Sequence, residues 1–68
     1  MEQLQLDISG MSCEHCVRAV RGALERMQGV RVDRVEVGSA TVHYDPHSAT
    51  PEQIVDAIND EGYSAQAA

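Results

Sequence analysis

An α+β fold of order βαββαβ is what this sequence predicts, and three observations carry it. Apolar and polar residues alternate with a period of two in four short stretches. Two intervening stretches repeat their apolar residues at helical spacing. Gly- or Pro-containing breaks separate most of these segments. Leu4, Leu6 and Ile8 alternate with Gln3, Gln5 and Asp7, the pattern of a strand with one buried face. Ser9-Gly10-Met11-Ser12 breaks that pattern and reads as a loop. From Glu14 to Met27 the apolar positions Val17, Val20, Leu24 and Met27 form a helical stripe. On its outer side Glu14/Arg18 and Arg21/Glu25 are spaced as i,i+4 ion pairs, and Gly29 supplies the stop.

Val30 and Val32, then Val35 and Val37, describe a second strand whose parity shifts once, so a bulge is expected near Asp33-Arg34. Gly38-Ser39 supplies a turn, and Ala40, Val42 and Tyr44 form the third strand of an antiparallel hairpin. After the loop Asp45–Ala49, Thr50-Pro51-Glu52-Gln53 has the form of a capped helix start. Thr50 is the N-cap, Pro51 takes the first helical position, and Gln53 completes a capping box. Ile54, Val55 and Ile58 give this helix its buried stripe, Gly62 ends it, and Tyr63–Gln66 is a short last strand. With right-handed crossovers the order βαββαβ becomes a ferredoxin-like sandwich, a four-stranded antiparallel sheet with two helices on one face.

The composition restricts what such a fold can do. At 68 residues the chain is expected to be one domain, residues 1–68, burying only about 60% of its unfolded surface. With no Trp or Phe and two Tyr, its core must be aliphatic. Eleven acids against five Arg, with no Lys, give a net charge of -6, which argues against nucleic acid as a partner. No apolar run approaches the roughly 18 residues of a membrane span, so no membrane insertion is expected. Residues 1–10 lack the basic start and apolar stretch of a secretory leader, which points to a cytoplasmic protein.

The chemistry is concentrated in Cys13-Glu14-His15-Cys16, where the first strand hands over to the first helix. A single pair three residues apart closes a trivial loop and does little as a structural disulfide. At i and i+3 across a helix start the two sulfurs can converge, and the unpaired N–H groups and dipole there favour thiolates. Two converging thiolates form a soft, anionic, bidentate site. A closed zinc site needs four ligands, and the three His show no partner spacing, so Cu(I) suits the pair better. A thiol–disulfide enzyme is the rival from a different class, although Pro46 and Pro51 both read as loop and helix-start residues.

Gly10-Met11-Ser12-Cys13-Glu14-His15-Cys16 resembles the G-M-x-C-x-x-C motif of heavy-metal-associated domains. The resemblance continues through Val17, Leu24, Gly29-Val30, Val35/Val37, Val42-His43-Tyr44-Asp45, Ala57-Ile58 and Gly62-Tyr63, about residues 3 to 65. It implies a ferredoxin-like fold that binds Cu(I), with Ag(I) as a surrogate and Zn(II) or Hg(II) as less fitting ions. Within the family the chain is most similar to bacterial copper chaperones, with an excised N-terminal domain of a P-type copper ATPase as the alternative. The Met1 start and compact end favour the free-standing protein, and Ser12, where zinc-transporting relatives often carry Asp, argues against zinc.

The resemblance makes Cys13 and Cys16 the metal ligands of a carrier without catalytic turnover. Met11 is expected to plug the base of the loop, Ser12 to flank the ligands, and His15 to point outward from the first turn. Tyr63 is expected to lie over the loop with its hydroxyl near a sulfur. His43 and His47 are expected to be a strand-surface and a loop residue without function. Residues 14–34 carry five Arg and three acids, whereas residues 35–68 carry six acids and no basic residue. That asymmetry makes Arg18 and Arg21 candidates for docking onto an acidic patch of a copper ATPase metal-binding domain. The apo chain is expected to be a monomer, and two loaded copies could share copper as a homodimer.

Overall fold

A computed structural model describes all 68 residues. Strand β1 (Glu2–Ser9) leads through a loop into helix α1 (Glu14–Glu25); β2 (Val30–Glu36) and β3 (Ser39–Tyr44) form a hairpin; α2 (Pro51–Asp60) then returns the chain to β4 (Ser64–Ala67). The strand order is β2-β3-β1-β4, with every neighbouring pair antiparallel. This is the ferredoxin-like sandwich.

One face of the sheet makes the core. Leu6 and Ile8 of β1, Ala40, Val42 and Tyr44 of β3 and Ala65 of β4 meet Val20 and Leu24 of α1 and Ile54 and Ile58 of α2. No polar or charged side chain is buried among them. Full burial of each large aliphatic side chain is worth about 1.5–3 kcal/mol, so these few residues supply most of the driving force of so small a chain.

The expected bulge is present. β2 pairs with β3 as Val32↔Val42 and then Arg34↔Thr41, so Asp33 is the extra residue that restores the parity of Val35. The start of α2 also forms as the sequence predicts. Gln53 N–H donates to Thr50 Oγ1 at 3.2 Å, and Thr50 N–H donates to Gln53 Oε1 at 3.1 Å.

Several boundaries differ. α1 ends at Glu25 rather than Met27, because Arg26 caps the helix and Met27 turns off it to pack against the core. β2 stops at Glu36, leaving Val37 with Gly38 in the turn, while Ser39 already belongs to β3. β4 runs one residue later than expected, since Tyr63 precedes the pairing of Ser64 with Ser9. Arg21 pairs with Glu25 at 3.5 Å, but Glu14 and Arg18 form no ion pair. Glu14 instead occupies the first turn, where the helix N-terminus already favours its charge.

One glycine holds the far end of the molecule together. Gly29 adopts φ +79°, and a Cβ there would come within 2.5 Å of Ser48 Cβ. Its carbonyl accepts from Asp45 N–H at 2.8 Å, tying the end of the α1–β2 connection to the β3–α2 loop.

Candidate metal centre

The site lies at the end of the sheet where β1 finishes. Ser9 pairs with Ser64 on one side, and on the other Ile8 N–H donates to the carbonyl of Gly38 at 2.9 Å. Gly10, at φ +93°, then turns the chain off the sheet, and a side chain at that position would meet the ring of Tyr63. Met11 is half-buried and packs against the core, as expected of a plug at the base of the loop.

Cys13 is the N-cap of α1. Its backbone is extended (φ -157°, ψ 175°), and its carbonyl accepts from Cys16 N–H at 3.1 Å and Val17 N–H at 3.3 Å. Its side chain makes no capping hydrogen bond. The helix therefore opens with a thiol where Ser, Thr, Asp or Asn would ordinarily satisfy a first-turn N–H. Cys13 is exposed, Cys16 is half-buried, and both are free thiols. Their sulfurs stand 3.8 Å apart. That is well beyond a disulfide bond of about 2.05 Å. It is close enough for one ion at roughly 2.3 Å from each sulfur.

The two thiols differ in their surroundings. The Tyr63 hydroxyl, then the Ser12 backbone, lower the Cys16 pKa to about 7 from the ordinary 9.0. Tyr63 and Cys16 face one another without meeting full hydrogen-bond geometry, and the thiolate in turn raises the pKa of Tyr63. The sequence pattern suggested the unpaired N–H groups and dipole of the helix start; here a tyrosine from the far end of the chain comes first.

The remaining candidates are spread out. His15 is exposed in the first turn and Ser12 is exposed beside it. No third His, Cys, Asp or Glu joins the cysteines in a group that could hold a metal ion. His43 bonds to Asp33, which Arg31 also approaches at 3.9 Å, on the β2–β3 pair. His47 lies in the β3–α2 loop, its N–H donating to Asp45 Oδ1 at 2.9 Å. Arg18 and Arg21 are both exposed on α1. Sequence reasoning missed Val37, which it assigned to a strand. It stands 54% exposed at the hairpin apex, next to Gly38, whose carbonyl accepts from Ile8 N–H. The signal was Gly38, which places the residue before it in the turn.

Comparison with known proteins fits this geometry. Residues 5–64 match the heavy-metal-associated domain family. The chain is 42% identical over 65 residues to the copper chaperone CopZ of Bacillus subtilis (strain 168), covering 93% of this chain and 94% of that protein. A copper binding domain from a P-type ATPase superposes with a TM-score of 0.94 at 30% identity, over 100% of this chain and 95% of that one. A CopZ metallochaperone superposes with a TM-score of 0.85 at 40% identity, over 96% of this chain and 100% of that one. By sequence and by fold alike, the chain belongs to the heavy-metal-associated domain family.

Proposed function

We propose that this protein is a copper chaperone: it binds Cu(I) between Cys13 and Cys16 and passes it on by thiolate exchange, without catalytic turnover. The observation that carries this reading is the pair of free sulfurs, 3.8 Å apart at an uncapped, surface-facing helix start. Soft thiolates in low number suit Cu(I), with Ag(I) as a surrogate, whereas Zn(II) needs further ligands that no nearby side chain offers. Hg(II) shares the taste for thiolates and ranks below Cu(I) because the copper chaperone and metallochaperone named CopZ are 42% and 40% identical to this chain.

Two ligands leave the ion open. A thiolate of an acceptor's own CxxC attacks the bound Cu(I), forming a third Cu–S bond. One bond to Cys13 or Cys16 then breaks, and a second exchange completes transfer with no change of oxidation state. The exposed Cys13 is the sulfur placed to leave first, since Cys16 is half-buried beside Tyr63. Met11 supports the loop from beneath, Tyr63 shields the pair, and Ser12 and His15 flank its open side. The acceptor is the metal-binding domain of a P-type copper ATPase, a reading supported by similarity to such a domain. Arg18 and Arg21 orient that acceptor through an acidic patch. The same openness lets two loaded copies bridge through four cysteines, while the apo chain stays a monomer. A reducing compartment such as the cytoplasm would keep this pair of thiols available for metal.

The test is an anaerobic titration of the reduced protein with Cu(I) against a competing Cu(I) chelator, repeated on Cys13→Ser/Cys16→Ser. One tightly held ion per chain, lost in the double variant, is the expected result. Weak binding that survives the substitutions overturns the reading. The acidic Cys16 would then point to thiol–disulfide exchange, to be measured as a reduction potential.

A further inference from the structure

We infer that Val37, at the apex of the β2–β3 hairpin, is an apolar docking point for the CxxC-bearing domain that exchanges metal with this chain; the inference rests on the carrier reading above. Apart from Met1, Val37 is the only large apolar side chain exposed on the molecule. It lies outside both strands of its hairpin and is absent from the hydrophobic core and from the partly buried residues packed on it. The fold therefore gives it no packing role.

Its position gives it another. The apex is fastened to the end of β1 by the Ile8 N–H to Gly38 carbonyl bond, two residues before Gly10 opens the cysteine loop. In the sheet order β2-β3-β1-β4, helix α1 packs against β2 and α2 against β4. From the end of β1 the cysteine loop thus crosses toward the hairpin to reach α1, while Tyr63 approaches from the β4 side. On one side of β1 stands a half-buried tyrosine facing Cys16; on the other, at the hairpin apex, stands an exposed valine.

Metal exchange between two folded domains imposes close contact on this rim. A sulfur of the acceptor must reach bonding distance of an ion held by Cys13 and Cys16, so the two surfaces meet for several ångströms around the loop. Short-lived interfaces of this kind are small, and their affinity concentrates in one or two desolvated apolar contacts inside a charged border. Val37 supplies the apolar contact. Arg18, exposed with no carboxylate partner on α1, the helix that packs against β2 of the same hairpin, supplies a charged border. The occupant that fits is a CxxC domain with an apolar spot and an acidic rim. A second copy of this chain fits less well, because α1 against α1 would set Arg18 and Arg21 against their own kind.

The experiment compares wild type, Val37→Asp and Val37→Ile, each loaded with one Cu(I). Transfer is followed to the CxxC metal-binding domain of a bacterial copper ATPase and, separately, to a small-molecule Cu(I) chelator. The expected result is that Val37→Asp slows transfer to the protein acceptor about five- to tenfold at sub-saturating acceptor, as loss of an interface anchor does. Val37→Ile keeps the wild-type rate, and all three proteins lose copper to the chelator equally fast. Wild-type transfer by Val37→Asp to the protein acceptor overturns the inference, and so does equal slowing toward both acceptors, which would mean a disturbed site. Failure of the carrier reading shows elsewhere, as failure of the wild type itself to hold one Cu(I) through Cys13 and Cys16.

Discussion

The chain passes from strand to helix twice, and the two junctions are built to opposite ends. At α2, Thr50 and Gln53 exchange hydrogen bonds across the first turn, Pro51 occupies a position that needs no N–H, and Ala49 just before it is buried. Every device there closes the helix end. At α1 the N-cap is Cys13, its sulfur caps nothing, and the residues around it are exposed. A capping box is worth about 1 kcal/mol or more, and α1 forgoes it. The helix start without a cap is the one with chemistry to offer, because a sulfur engaged in capping would be less free to meet an ion. Stability is concentrated at one junction and reactivity at the other.

Substitution at the α1 end should give the largest effect. Cys13→Ser/Cys16→Ser is expected to lower Cu(I) affinity by about a thousandfold or more, since both proposed ligands go. Below pH 7, where the folded and unfolded chains alike keep the Cys16 proton, the thermal midpoint measured by circular dichroism on the metal-free protein should not fall, because neither cysteine is part of the core.

Breaking the α2 end should do the reverse. Thr50→Ala removes one half of the capping box and should cost about 1 kcal/mol. For a domain of this size that is a fall of about 4–8 °C in thermal midpoint. Chelator competition should show its copper affinity unchanged. If both quantities moved together, the two junctions would not be independent.

A smaller effect sharpens the contrast. Cys13→Ser alone gives α1 the side-chain cap it lacks, on an N-cap backbone already extended as such caps require. It should raise the stability of the metal-free protein by roughly 0.5 kcal/mol in urea unfolding while weakening copper binding. A loss of stability would show that the thiol does more for the fold than its contacts reveal.

The mildest effect concerns pH. Cys16 titrates at about 7 in the folded chain against an ordinary 9.0, so the unfolded chain holds more protons between those values. Stability of the metal-free protein should therefore rise as pH goes from 7 to 9, and this contribution is lost as pH falls through 7. Tyr63→Phe removes the first cause of the shift. It should move the Cys16 titration upward, read from thiolate ultraviolet absorbance, and flatten that rise.

What the sequence made legible were the features set by neighbours along the chain. The parity break at Asp33, the capping box at Thr50 and the alternation of Leu4, Leu6 and Ile8 all became the elements they suggested. The ends of those elements were less legible. Met27 keeps helical spacing yet leaves α1, and Val37 keeps strand parity yet sits in the turn, because packing and hairpin closure override periodicity at the last residue. At the site, the i,i+3 spacing of Cys13 and Cys16 foretold convergence. The resemblance to heavy-metal-associated domains, not the spacing, brought Tyr63 to the loop.

The sequence alone was enough for the order βαββαβ, the place of the cysteines at a helix start, and the family. These depend on local spacing and on residue chemistry that needs no distant partner. The tertiary structure alone decided which sulfur is the more acidic and that a valine stands exposed at the hairpin beside β1. Tyr63 lies far along the chain from Cys16, and so does Val37 from Ile8. Only the antiparallel placing of β3 and β4 on either side of β1 brings all of them to one end of the sheet.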